Sequence, residues 1–166
     1  MIILETERLV LRDLEAADAD FIYTLLNSPK FIRYIGDRGV HSVDDAREAI
    51  ESRYRKSYAE NGFGFYAVDL RETGESIGIC GYVKRDTLPG VDLGFAFLPD
   101  HERKGYGFES ASAMLKHGRE QLGFKTVLAI TSLDNDASIA LLEKLGFRFD
   151  KLIDSGSEQI RLFVSN

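Results

Sequence analysis

The stretch Leu98-Pro-Asp-His-Glu-Arg-Lys-Gly-Tyr-Gly-Phe108 carries the residue types best suited to holding an anion. Glycines at 105 and 107 lack a Cβ, so main-chain N–H groups can approach a ligand closely and the chain can take positive φ without steric cost. Arg103 and Lys104 add two cations beside them. A phosphate at the start of the helix that follows meets unpaired donors and the positive end of the macrodipole, worth up to about 2 kcal/mol in a partly buried site. The same glycines also suit a tight strand-to-helix turn with no ligand, and G-x-G spacing alone does not separate the two readings.

Other reactive side chains are sparse. Cys80 stands on a strand whose alternate face carries Ile77 and Ile79, the setting of a packed small hydrophobe rather than a nucleophile. His101 and His117 lie on the loop and the following helix with no second histidine at ligand spacing, so no metal site is expected. Tyr34 and His41 are the polar candidates of the aromatic, glycine-containing segment 31–41, which reads as a mobile loop over a site. For each of the two, packing or plain exposure is the simpler role.

The elements that must position the loop follow from periodicity. Thr6 to Leu14 alternates Leu9 and Leu11 with Arg8 and Arg12, the period of a half-buried strand, and Ala16 to Leu26 carries Phe21, Ile22, Leu25 and Leu26 at helical spacing. Ser42-Val-Asp-Asp45 has the form of a capping box ahead of Ala46, Ile50, Tyr54 and Tyr58, four apart on one helix face that should end near Asn61-Gly62. Strand-like runs at Phe63 to Leu70, Ser76 to Lys84 and Val91 to Leu98 are joined by short turns, as antiparallel neighbours are. A helix from Glu109 to Leu122, a strand from Lys125 to Thr131, a short helix closed by Gly146, and strands around Phe147 to Ile153 and Glu158 to Val164 complete the order. The economical packing is a mixed α/β (α+β) sheet of about seven strands with about four helices on its two faces, forming one domain over residues 1–166.

With 44% hydrophobic and 29% charged residues the chain is globular. A net charge of -6 argues against a nucleic-acid partner, which calls for a basic stripe, and mildly favours a cationic one, although a solubility surplus explains it equally well. No run approaches the roughly 20 apolar residues of a membrane span, and the amino terminus lacks the basic and apolar regions of a secretory signal. One cysteine excludes an internal disulfide. A soluble, cytoplasmic protein without membrane contact is expected.

Taken together, Pro99-Asp-His-Glu-Arg-Lys-Gly-Tyr-Gly107, Asn135-x-x-Ser138, Glu143-Lys-Leu-Gly-Phe147 and the opening Glu5-Thr-Glu-Arg-Leu-Val-Leu-Arg12 give a sequence that resembles the GCN5-related N-acetyltransferases, and within them the ribosomal-protein N-terminal acetyltransferase (Rim-type) branch. The resemblance implies a mostly antiparallel sheet whose fourth and fifth strands, Val91 to Leu98 and Lys125 to Thr131, splay apart to admit the pantetheine arm of acetyl-CoA, with main-chain pairing at Phe97 and Leu98. It places the diphosphate on the amides of Arg103, Lys104, Gly105, Tyr106, Gly107 and Phe108, and the pantetheine arm beside Asn135. Two positions depart from the pattern: Glu102 stands where the wider family has Gln or Arg, and Leu142 where many relatives carry a tyrosine general acid.

The resemblance further implies acetyl transfer from acetyl-CoA, with no metal, to a primary amine. Neutralising a lysine amine at pH 7 costs about 4.6 kcal/mol and an α-amine only about 1 to 1.4, so an α-amine needs less help. A protein N-terminus is therefore the first acceptor expected, ahead of a polyamine or antibiotic. Asp92 matches a position where relatives often carry Glu and is a candidate general base, the alternative being a salt-bridged strand carboxylate. Ser138 is a candidate proton donor to the departing thiolate, or else a hydrogen-bonding residue of its helix's first turn. A CoA-binding regulatory module without turnover is the reading from another class, and the chain is expected as a monomer or homodimer.

Overall fold

The computed structural model describes residues Met1–Asn166. Eight strands build its frame: β1 (Ile2–Glu5), β2 (Leu9–Arg12), β3 (Phe65–Leu70), β4 (Ser76–Lys84), β5 (Val91–Phe97), β6 (Val127–Ser132), β7 (Arg148–Ser155) and β8 (Glu158–Ser165). They lie in the order β1-β2-β3-β4-β5-β6-β8-β7, and β5 with β6 is the parallel pair in an otherwise antiparallel sheet. The strand beyond the seven expected is β1, whose Ile-Ile-Leu-Glu has no alternation and gains its place by pairing Ile2 to Glu5 against β2. Counted from β1, the splayed strands are therefore the fifth and sixth.

Between β2 and β3 lie α1 (Ala19–Leu26), α2 (Pro29–Tyr34), α3 (Val43–Ala49), a π-wound stretch (Ile50–Arg55) and α4 (Lys56–Asn61). After β5 come α5 (Tyr106–Glu120) and, beyond β6, α6 (Asp136–Lys144). Strand alternation sends Val68, Tyr82 and Leu93 to a core with Ala111, Met114 and Leu115 of α5, while Ala67 and Ile79 point the other way to Ile22, Leu25, Ala46 and Ile50.

The run 46–50–54–58 explains the π-wound stretch. A spacing of four drifts round a helix of 3.6 residues per turn, and the wider i→i+5 turn between Ile50 and Arg55 brings Tyr54 and Tyr58 back toward the sheet. Tyr58 then ties the layers together, its oxygen accepting from Leu14 N–H and donating to the Phe65 carbonyl. At the start of α3, Ser42 Oγ accepts from Asp45 N–H at 3.0 Å, but the Asp45 carboxylate reaches His41 N–H, so the reciprocal half of the capping box is shifted by one residue.

The segment 31–41 is not a free loop. Ser28 stands extended before Pro29 at the first helical position, the missing N–H of proline costs nothing there, and α2 runs on to Tyr34. Phe31 and Val40 are buried in the helical core, and Lys30 and Arg33 reach over to the loops after β5 and β6.

Arg12 joins β2, β3 and the turn before α1: its guanidinium holds Asp18 at 2.8 and 2.9 Å, Asp69 at 2.6 Å and Ser76 at 3.2 Å. Desolvation pushes the Asp18 pKa up, and the Arg12 hydrogen bond, the Glu15 N–H and the Arg12 charge together bring it below the ordinary value. Asp18 thus adds stability above its unfolded pKa, lost as pH falls through the lower folded one. Removing Arg12 strands two carboxylates that are nearly buried. Arg12→Met is expected to lower unfolding free energy by about 3 kcal/mol in a urea titration, the low end for a broken buried pair because a quarter of the guanidinium side chain is exposed.

Candidate active site

The parallel strands β5 and β6 pair at one position, Asp92 with Leu128, and no further pair forms toward their carboxyl ends. The opening faces the loop 98–108. Leu98 N–H donates to Ile77 O at 2.8 Å, so the alternate residues Phe97 and Phe95 aim their main-chain groups at the gap. This corrects the expectation for Leu98: its N–H is taken by β4 and its carbonyl accepts from His101 N–H at 3.0 Å, leaving Phe97 with Phe95 as the ladder along the gap.

The glycine loop meets the helix earlier than its apolar spacing indicates. α5 begins at Tyr106, with Gly105 as its cap at φ +83°. Gly107 lies inside the first turn, where a Cβ would come within 3.0 Å of Leu141 Cδ2, so its role is close packing of α5 on α6 rather than a positive φ. Glu109 N–H closes the first helical bond on Gly105 O, whereas the N–H groups of Arg103, Lys104, Gly105, Tyr106, Gly107 and Phe108 donate to no protein acceptor. Six consecutive free donors at a helix start fit a diphosphate.

Arg8 fixes that helix start. It donates to Glu109 Oε1 at 2.7 Å and to the Lys104 carbonyl at 3.0 Å, and its guanidinium lies 4.5 Å over the Tyr106 ring. Glu109 also accepts from Thr6 Oγ1 and Arg8 N–H. Glu102, the acidic departure in the loop, is turned to Lys30 of α2, 2.5 Å away, which offsets its charge. Arg33 reaches Asp134 at 3.5 Å, so α2 straddles the gap with an ion pair on either side. The groove that continues from the loop is lined by Arg8, Phe108, Ser112, Lys116 and Lys144, with Lys144 Nζ 4.2 Å over the Phe108 ring, a cationic path for further phosphate.

Asn135 caps α6: its Oδ1 accepts from Ser138 N–H at 3.3 Å, which leaves the amide nitrogen free to donate. Ser138 is half-buried in the first turn. Beside them on β6, the hydroxyls of Thr131 and Ser132 are buried without a partner. Buried polar atoms are rarely left so, and the two, consecutive on β6, face opposite sides of the sheet. Leu142 is core, in contact with the α5 side of the sheet.

Asp92 sits at the apex of the gap, on the face away from α5, and is 1% exposed. Burial lifts its carboxyl above the ordinary range, against the charge and hydrogen bond of Arg85, whose Nε is 3.1 Å from Oδ1. Cys80 is fully buried and its thiol is pushed up to about 12 by desolvation, so it is inert. His41 pairs with Asp37 at 2.9 Å, and Tyr34 stacks under Arg33, both near the surface. His101 pairs with Glu75 at 3.3 Å, and burial lowers the His117 pKa. No three His, Cys, Asp or Glu side chains gather to hold a metal ion.

Sequence reading missed Arg8 as the clamp, Lys30 as the partner of Glu102, Arg85 as the partner of Asp92 and the two hydroxyls. The signal for Arg8 lay in the opening motif, but its partner is 101 residues away, beyond any local pattern.

Residues 8–148 match the family model for the acetyltransferase (GNAT) domain. The chain is 31% identical over 147 residues to the uncharacterized N-acetyltransferase YoaA of Bacillus subtilis (strain 168), covering 88% of this chain and 82% of YoaA. Among solved structures it is similar to the ribosomal-protein-S5-alanine acetyltransferase of Vibrio fischeri, with TM-score 0.82, 15% identity and 99% and 96% of the two chains covered. It is also similar to a mutant of the spermidine N-acetyltransferase SpeG of Vibrio cholerae, with TM-score 0.76, 18% identity and 96% and 94% covered. At those identities the two structures establish likeness of fold alone.

Proposed function

The chain belongs to the GNAT acetyltransferase family, and from that premise we propose that it moves an acetyl group from acetyl-CoA to a protein N-terminal α-amine by direct attack, as enzymes of the Rim type do. The observation that carries this reading is the gap between β5 and β6 with a buried, ion-paired carboxylate at its apex. Acetyl-CoA supplies the activated thioester. The residues suited to hold it are the amides of Arg103 to Phe108 for the diphosphate, with Phe97 and Asn135 for the arm.

Asp92 accepts the proton of the amine, directly or through one water, and Arg85 holds the carboxylate in place. The Phe95 N–H, the next after Leu93 on the gap side of β5, is placed to donate to the oxygen that gains charge. Ser138 offers a hydroxyl to the departing thiolate, the part that Leu142 cannot play. Ser138→Ala is expected to lower kcat about tenfold, the weak end of acid catalysis, with acetyl-CoA affinity nearly unchanged. An unaltered kcat assigns Ser138 to the helix cap alone.

The pairing of Glu102 with Lys30 counts against the regulatory-module reading, since the loop is not left with a free carboxylate facing the diphosphate. The test of the acceptor is thiol release from acetyl-CoA with peptide amino termini set against small amines. Turnover with small amines and none with any peptide removes the N-terminal assignment.

A further inference from the structure

On the face of the sheet away from α5, strands β3, β4 and β5 carry Phe65, Gly81 and Gly94 in one row, Phe65 paired with Gly81 and Gly81 with Gly94. An aromatic ring crosses that row. A Cβ at Gly81 would stand 1.9 Å from Gly64 O and 2.9 Å from Phe65 Cα, so only glycine lets the β3 backbone come this close to β4. The Phe65 ring then reaches β5, its Cε1 and Cζ each 2.8 Å from where a Gly94 Cβ would stand. Gly94 follows Asp92 by two residues and shares its face, about 7 Å along the strand. Leu93 and Phe95 turn the other way, to the α5 core. The ring is therefore the neighbour of the carboxylate along β5.

Tyr54 backs the ring edge-on, with centroids 6.1 Å apart and planes at 75°. It comes from the π-wound stretch, and such turns recur at functional sites. Phe65, Tyr54, Gly94 and Ala96 are all half-buried although β3 and β5 are inner strands, because the helical core buries Ala67 of β3 and Ile79 of β4 and no residue of β5. Asp92 is the one charged residue of β5. What stays open beside it is an apolar wall with a single carboxylate at its end. A ring over two glycines also supports the sheet, but that role calls for no opening to solvent beside a buried carboxylate.

We propose that the acceptor carries a large apolar group next to its amine, packed on Phe65 and Tyr54 while the nitrogen faces Asp92. The proposal rests on the transferase reading above and narrows its substrate class. An apolar wall also disfavours the ammonium form of the amine, the form that cannot attack. Two sources offer this chemistry: a protein N-terminus whose first residue is large and apolar, and a free apolar amine.

The test is thiol release from acetyl-CoA with two peptides identical except for Leu or Ser as the first residue, alongside isoamylamine and ethanolamine, which carry the same two side chains without a peptide. The apolar member of a pair is expected to exceed the polar one about 10- to 100-fold in kcat/KM, the difference lying in KM. In Phe65→Ala that ratio is expected to fall below about threefold, and a ratio is insensitive to a smaller fraction of folded enzyme. Should Phe65→Ala not fold, Gly94→Ala reads the same ratio, since its Cβ displaces the far end of the ring from β5. A preference carried by the peptides names the protein N-terminus as the source, and one carried by the small amines alone names the free amine. Equal kcat/KM within both pairs, or a ratio that the loss or displacement of the ring leaves in place, overturns the apolar-acceptor proposal and leaves the transferase reading standing. Thiol release with none of the amines overturns both.

Discussion

Asp92→Asn is expected to lower kcat/KM for the amine by about 10²- to 10³-fold, within the range that a positioned general base supplies. The amide keeps the shape and loses the basicity. Because burial holds the carboxyl above its ordinary value, the wild-type rate should rise with pH through that raised pKa and level off above it. The Asn variant loses this limb. Stability moves the other way. A carboxyl whose folded pKa is raised destabilises the fold increasingly as pH climbs from the unfolded to the folded value, and the penalty persists at neutral pH. Asn removes it, and the Arg85 side chain, about a third exposed, can turn to water. The variant should therefore melt at or above the wild-type temperature while turnover collapses. A fall in melting temperature with activity kept marks Asp92 as a structural salt-bridge residue and removes the base from the mechanism.

Local pattern made most of this fold legible because strands and helices declare themselves by period. Leu9 and Leu11 face one core in alternation, and Phe21 aside, the helical residues Ile22, Leu25 and Leu26 bury as their spacing requires. β1 escaped because four residues hold no period, and α2 escaped because Pro29 and two glycines read as a break. The site divides along the same line. Gly105 and the free amides follow from a motif carried on one loop, and the gap from the family resemblance of several motifs together. Arg8 with Glu109, Lys30 with Glu102, and Arg85 with Asp92 are pairings that only the folded chain creates. Asp92 was visible as a carboxylate on a strand. Its burial to 1% and its arginine partner, which give it chemistry, were not.

Gly105→Val should weaken acetyl-CoA binding about 10- to 100-fold, because the loop's donors act as a set only while residue 105 holds its left-handed turn. At φ +83° a β-branched side chain is strained by about 1 to 3 kcal/mol, and its Cβ would also stand 3.2 Å from Arg8 Nη2, the clamp on the helix start. Relief of either strain rotates the 105–106 peptide and pulls the amides of Tyr106 and Gly107 off a common point. Strain alone also lowers stability, so the comparison that decides the matter is Gly123→Val. Gly123 follows the far end of the same helix at φ +75° with open space around its Cβ position, and it carries the same conformational cost with no phosphate to lose. Both variants should melt lower by a similar amount. By calorimetry with acetyl-CoA, the Gly105 variant alone should lose affinity. Equal affinities in the two variants place the diphosphate elsewhere, and with it the direction from which the thioester reaches Asp92.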